Sequence, residues 1–209
     1  AAEGLAYLRR LIDETDPHNK IGLCVLEENG FRHDMQRALG HARMILAFER
    51  SGLVEIDYAA NCLQPWQQHD NYWDQGQVFF TPSQVWGMPP FYAQQMLARH
   101  YQPLLVETQV EGSAESLEVT AARSEDGLAL VLKVVNGSGE DCITRISTQP
   151  GAVPYAKLIC TCLSGGLADR NTPEDPARVV PVETDQPGKA EDVDWTFPAH
   201  SFTILEFRA

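Results

Sequence analysis

Residues 20–29 read Lys-Ile-Gly-Leu-Cys-Val-Leu-Glu-Glu-Asn, a nearly continuous apolar run that ends in two carboxylates and then Gly30. A run of that length closed by turn residues predicts a β-strand buried on both faces, the kind that parallel sheets use. Helical patterns lie on either side of it. Upstream, Leu5, Leu8, Leu11 and Ile12 recur at helical spacing until Asp16-Pro17, where proline forbids continuation. Downstream, a helix is expected from about Asp34 to Arg50, with Met35, Ala38, Leu39, Ala42, Ile45 and Leu46 as its apolar stripe. Asp34 is a suitable cap at its start, and Gly52 lies just past its end. Leu53 to about Leu63 predicts a second strand. After a long polar and aromatic loop, Pro89-Pro90 opens a third helix that carries Phe91, Ala93, Met96 and Leu97. This alternation belongs to an α/β barrel or a wound sheet.

From about Gln102 the texture changes. LLVETQVEG, SLEVTAARS, GLALVLKVVNG, CITRIST, KLICTCLSG, ARVVPVET and SFTILEF are short, β-branched and separated by turn residues. Such spacing predicts an antiparallel β-sandwich. Leu117, Val119 and Ala121 alternate with polar neighbours, as on a half-buried strand. In the last segment Phe202 and Ile204 share one face while Leu205 and Phe207 share the other, so that strand is expected to be buried on both sides. The fold class is therefore α/β plus all-β. Residues 1–101 form an incomplete part of that barrel or wound sheet, and residues 102–209 form an antiparallel sandwich that shares an apolar interface with them. Two strands cannot close a barrel that takes roughly 250 residues. The remaining strands are expected from an N-terminal barrel portion or a partner subunit.

The 209 residues include 16 Lys and Arg against 29 Asp and Glu, a formal charge of −13. Phosphate neutralisation needs a basic face, so nucleic acid is not an expected partner. No apolar run reaches the roughly 18 residues that span a bilayer, and no signal-peptide core is visible; cytoplasmic and secreted locations both fit. The five cysteines are scattered in mostly apolar stretches and read as buried small hydrophobes. Neither their spacing nor that of His33, His41, His69 and His100 forms a metal-ligand pattern, and these histidines read as solvated surface groups. Asp169, Asn171, Glu174 and Asp175 form an acidic turn without the spacing of a calcium loop. Asn136-Gly-Ser138 reads as a turn before it reads as a glycan acceptor. No metal or cofactor is expected.

The stretch KIGLCVLEEN (20–29), followed by residues 33–64, resembles the end of the catalytic barrel in α-L-arabinofuranosidases of glycoside hydrolase family fifty-one. FFTPSQVWGMPPFYAQQMLARHY (79–101) is similar to that barrel's final segment. The KVVN strand (Lys133–Asn136) and the closing strand Pro198–Leu205 resemble parts of the family's C-terminal sandwich. The resemblance covers nearly the whole chain but only about the last third of such an enzyme. It implies that residues 1–101 are the last βα units of an incomplete TIM-type barrel. It also implies a retaining glycosidase, in which two carboxylates about 5–5.5 Å apart act as acid/base and nucleophile. Matching Asn29 to the family's Glu-x-Asn form makes Glu27 the nucleophile, and a shift of one residue makes it Glu28. Adjacent strand residues face opposite ways, so one of the two points into the site. The family's acid/base glutamate, which follows an asparagine on another strand, has no counterpart here.

The resemblance implies carbohydrate as the partner, and the loop composition fits: aromatic faces stack on sugar rings, and amides bond hydroxyls. Asn29, Trp66, Tyr72, Trp73, Gln75 and Trp86 are the candidate substrate contacts. Packing at the base of the loop is the plainer role for the indoles. Two other functions remain open, a non-catalytic carbohydrate-binding or structural sandwich and an endoglucanase or xylanase on the same scaffold. Homo-oligomerisation is open as well.

Overall fold

The computed structural model describes residues 2–28, 30, 32–59, 62–68, 75–112, 116–147, 155–187 and 192–209. Helix α1 (Ala2–Thr15) leads to β1 (Leu23–Glu28), α2 (Met35–Ser51) and β2 (Val54–Ala59), with β1 and β2 paired in parallel. Three short strands follow, β3 (Leu63–Pro65), β4 (Val78–Phe80) and β5 (Val85–Gly87), which form a small sheet of their own before α3 (Pro89–Arg99). The rest of the chain is β6 (Leu104–Val106), β7 (Leu117–Arg123), β8 (Ala129–Asn136), β9 (Cys142–Ile146), β10 (Lys157–Ser164), β11 (Val182–Pro187), β12 (Val193–Phe197) and β13 (Ser201–Arg208). Six of these strands make an antiparallel sheet in the order β11-β10-β13-β8-β7-β6, and β9 pairs with β12 separately. A mixed α/β segment followed by an antiparallel sandwich is the architecture its residues predict.

The six-stranded sheet is covered on both faces. On one lie α2 and α3, where Met35, Leu39, Leu46, Met96 and Leu97 pack with Val131, Val135, Phe202 and Ile204. On the other lies the β9–β12 pair, where Phe197, Ile146 and Trp195 meet Val134, Leu158, Leu205 and Phe207. Strand β13 sits between β8 and β10, and its residues 201–207 are all buried. That double burial explains why its two alternating sets are both apolar. Strand β7 differs from its expectation. Its polar neighbours face α2 instead of water: Glu118 meets Arg43 at 2.8 Å and Arg50 at 3.2 Å, and Thr120 accepts from Arg50 at 3.0 Å.

Helix α2 starts where its cap predicts. Asp34 accepts from the Arg37 backbone N–H at 3.1 Å, and Gly52 closes the helix with φ 62°, a left-handed conformation that glycine adopts without strain. Two more of its orphan N–H groups are satisfied from the sandwich half: Met35 donates to the Asp169 carbonyl and Gln36 to the Leu167 carbonyl, each at 2.9 Å. The acidic turn therefore has a structural task. Asn171, fully buried, donates to the carbonyls of Gly87 and Val179 and so ties the turn to the start of α3. Asn136 is likewise buried, and its amide donates to the carbonyls of Glu140, Phe197 and Pro198, as the turn reading requires.

Several expectations are corrected. Strand β1 is not buried on both faces, because Cys24 is exposed and Leu26 is 67% exposed; among the described residues its sheet has two strands and a cover on one face only. Cys62 is exposed too, while Cys142 and Cys160 are buried. The ARVVPVET segment enters the sheet only at Val182, after Val179 has turned into the core. Strand β12 and the β3–β5 sheet have no counterpart in the sequence pattern. No helix among the described residues is long and apolar enough to cross a membrane.

Two further polar pairs cross the helix–sheet interface. Lys133, 1% exposed on β8, meets Glu49 of α2 at 2.5 Å. Glu49→Gln strands that ammonium in an apolar layer and is expected to cost about 3–5 kcal/mol, read by urea unfolding. Replacing both residues with apolar ones should recover most of the loss. On β13, His100 and Arg208 hold the Glu206 carboxyl down to about 2. A depressed carboxyl adds stability that is complete above its ordinary value of 4.5 and disappears as pH falls toward 2. Glu206→Gln should therefore flatten the stability–pH curve between about pH 2 and 4.5.

Candidate active site

Strands β1 and β2 leave regular pairing at two points. Leu23 lies opposite Val54 but Cys24 opposite Ile56, so β2 carries one extra residue there, and a second shift follows at the end of β1. Cys24 lies opposite Ile56 and Val25 opposite Asp57, but the next partner of β2, Ala59, lies opposite Glu28. Three steps along β1 thus match two along β2, so β1 carries one extra residue, a bulge of the kind that re-aims side chains. Opposed residues share a face, so Val25, Asp57, Ala59 and Glu28 stand on one side of the sheet. Glu28 is 8% exposed there and forms an ion pair with Nδ1 of His41, on the second turn of α2. Leu26 and Glu27 are both exposed.

The surroundings of Glu28 are charged and partly desolvated. Burial pushes the Asp57 carboxyl up, the negative charge of Glu28 raises it further, and His41 partly offsets both. Burial also lowers the Arg37 guanidinium, against the opposing pull of Glu28 and Asp34. Arg37 donates to the Gly30 carbonyl and, at 3.4 Å, to the Arg32 carbonyl, which fastens the turn after β1 onto α2. Arg32 in turn meets the capping Asp34 at 2.8 Å.

The loop residues divide. Trp86, 4% exposed, packs with Phe79 and Met88, and half-buried Trp66 closes edge-on against both rings at 5.8 and 5.5 Å. His33 packs edge-on against Phe79 at 4.8 Å, which joins the turn after β1 to the small sheet. Gln64 is buried beneath them and accepts from the backbone N–H groups of Gln75 and Gly76 at 3.2 and 2.7 Å. The Gln75 side chain is buried, and among the described residues its Oε1 has no hydrogen-bond partner. Trp66 and Trp86 are thus brought together, while Gln75 is held through its backbone to Gln64. Asn29, His69, Tyr72 and Trp73 lie outside the described residues.

The model of the α-L-arabinofuranosidase C-terminal domain matches residues 26–201. The chain belongs to that family. Its fold is similar to the arabinose complex of α-L-arabinofuranosidase from Thermotoga maritima, with a TM-score of 0.81 and 20% identity over 99% of this chain and 48% of that one. The family fifty-one arabinofuranosidase of Xanthomonas axonopodis pv. citri matches with a TM-score of 0.74 and 16% identity, covering 99% of this chain and 45% of that one. The catalytic domain of xylanase C from Talaromyces cellulolyticus matches with a TM-score of 0.62 and 16% identity, covering 92% of this chain and 42% of that one. The chain spans about half the length of these structures or less. Comparison with curated protein sequences finds no match.

In this arabinofuranosidase-family chain the histidines correct their sequence reading. His41 is 2% and His33 7% exposed, and His100 is partly buried against Glu206; none of these three is a solvated surface group. His41 and Asp57 are the site residues that sequence reasoning missed. His41 lies on the apolar side of α2, since positions 38, 41, 42 and 45 share a helix face, and that phase was the available signal. Among the described residues no group of His, Cys, Asp and Glu is arranged to hold a metal. Because its carboxyl is raised above the ordinary 3.8, Asp57 opposes folding once pH rises past that value. Asp57→Asn should therefore raise the urea midpoint at pH 7, and the gain should shrink below about pH 4, where the carboxyl is protonated in both states.

Proposed function

We propose that the chain supplies the nucleophile strand and the C-terminal sandwich of a retaining α-L-arabinofuranosidase acting on arabinose-containing polysaccharide or oligosaccharide. The observation that carries this reading is the pairing at the end of β1, which commits Glu28 to His41 and leaves Glu27 exposed at the C-terminal end of a parallel strand. That end is where barrel enzymes collect their catalytic groups. Glu27 attacks the anomeric carbon while a second carboxylic acid protonates the leaving oxygen. The glycosyl ester on Glu27 is then hydrolysed by a water that the same second group deprotonates. This acid/base belongs to barrel strands outside residues 1–209, so carbohydrate turnover requires the complete barrel. The packed Trp66–Trp86 pair serves to hold the loop that follows β3, and sugar contacts fall to residues nearer the strand ends.

The similarity to a xylanase fold, at the lower TM-score of 0.62, favours a second reading in which the same scaffold cuts a xylan backbone. A panel of aryl arabinofuranoside, arabinoxylan and unsubstituted xylan separates the two. On the first reading, Glu27→Gly in the complete enzyme lowers kcat/KM on 4-nitrophenyl α-L-arabinofuranoside by roughly 10³-fold or more, and added azide restores turnover. A mechanism-based inactivator should label the peptide at Glu27. Label on Glu28 instead, or wild-type rates in Glu27→Gly, would overturn the assignment.

A further inference from the structure

Continued from Val25, regular pairing would give the opposite exposure of the two glutamates. With Val25 opposite Asp57, an unbroken ladder sets Glu27 opposite Ala59, on the face that packs toward α2, and turns Glu28 to the open face beside Leu26. The bulge inverts this order. Something must hold it, because an extra residue is unpaired and the ladder around it is weakened.

We propose that the Glu28–His41 pair holds the bulge in register, so that Glu28 and His41 act as positioning residues for Glu27. The inference rests on the reading of Glu27 as nucleophile. Glu28 is the group with most to lose on the buried face. A carboxylate 8% exposed needs a compensating donor or cation. His41, whose side chain is fully buried, sets Nδ1 against Oε2 of Glu28 within ion-pair distance, and neither atom has a hydrogen-bond partner elsewhere among the described residues. Arg37, one turn earlier on α2, adds positive field, and Asp57 on β2 adds a second negative charge to the same face. Take His41 away and two carboxylates share a half-desolvated layer with Arg37 alone, which is already engaged with the Gly30 carbonyl and the capping Asp34. With no pair left to offset the unpaired residue, the strand recovers its regular ladder by slipping one residue. Glu28 moves to the open face and Glu27 is carried toward α2. A single buried ion pair thereby decides which of two neighbouring, chemically identical side chains meets the substrate.

The test uses the complete enzyme carrying His41→Leu, His41→Asn or Glu28→Gln, assayed for kcat and KM on 4-nitrophenyl α-L-arabinofuranoside, with thermal unfolding followed in parallel. His41→Leu should lower kcat about 10²-fold with KM held within about twofold, the scale of a misplaced reacting group. His41→Asn, whose amide nitrogen can take the place of Nδ1, should stay within about fivefold of wild type. If His41→Leu does not fold, Glu28→Gln carries the expectation: it keeps the shape of Glu28 but removes the charge, and should lower kcat about tenfold at unchanged KM. Wild-type kcat in both His41→Leu and Glu28→Gln overturns the proposal. So does a loss that follows the unfolding midpoint and is not recovered by His41→Asn. Failure of the nucleophile reading has a different mark, since Glu27→Gly would then retain activity whatever the His41 variants do.

Discussion

The burial of the six-stranded sheet on both faces is the constraint from which the rest of the molecule follows. Helices α2 and α3 present Met35, Leu39, Leu46, Met96 and Leu97 to one side of β8, β10 and β13, while the β9–β12 pair covers the other. Neither half can keep its apolar surface from water without its neighbour. Burial at about 25 cal/mol per Å² makes such a shared layer the largest favourable term in holding the two halves together. The polar groups crossing it, Lys133 with Glu49 and His100 with Glu206, sit where helix and sheet meet and fix one arrangement among those that hydrophobic contact alone would allow.

That same packing positions the candidate site. Helix α2 is anchored at its start by the carbonyls of Leu167 and Asp169 and along its length by the sheet. It therefore offers His41 and Arg37 as fixed points to the end of β1. The arrangement of Glu28 at the strand tip draws its geometry from a helix whose own support comes from the sandwich. The small β3–β5 sheet adds a second brace through His33 and Phe79. An accessory sandwich in this family chain acts as the foundation on which the barrel end is aligned.

The residues that pattern alone could assign are those whose environment repeats with the period of their element. The stripe on α2, the cap at Asp34, the stop at Gly52 and the doubly apolar β13 are all legible in this way. Strand β12 is not, because VDWTF alternates charge with aromatics over only five residues, and β3 to β5 are not, because three-residue strands carry no period. The expected burial of β1 on both faces fails since periodicity reports that residues are apolar, and cannot report whether a neighbouring strand is there to cover them. Composition cannot distinguish a sugar-facing indole from a packed one, since aromatic content is the same in both settings, and the structure packs Trp86 against Phe79 and Met88.

Taken alone, the order of apolar runs and turn residues determined the class of fold, the division in texture near Gln102 and the pair of adjacent carboxylates at a strand end. Which carboxylate turns outward was beyond it. That choice depends on one unpaired residue in β1 and on a histidine thirteen positions later in the chain, brought against Glu28 by the packing of α2. Local preference is a property of neighbours in sequence, whereas the direction of a side chain at a bulge is a property of whatever the tertiary fold sets opposite it.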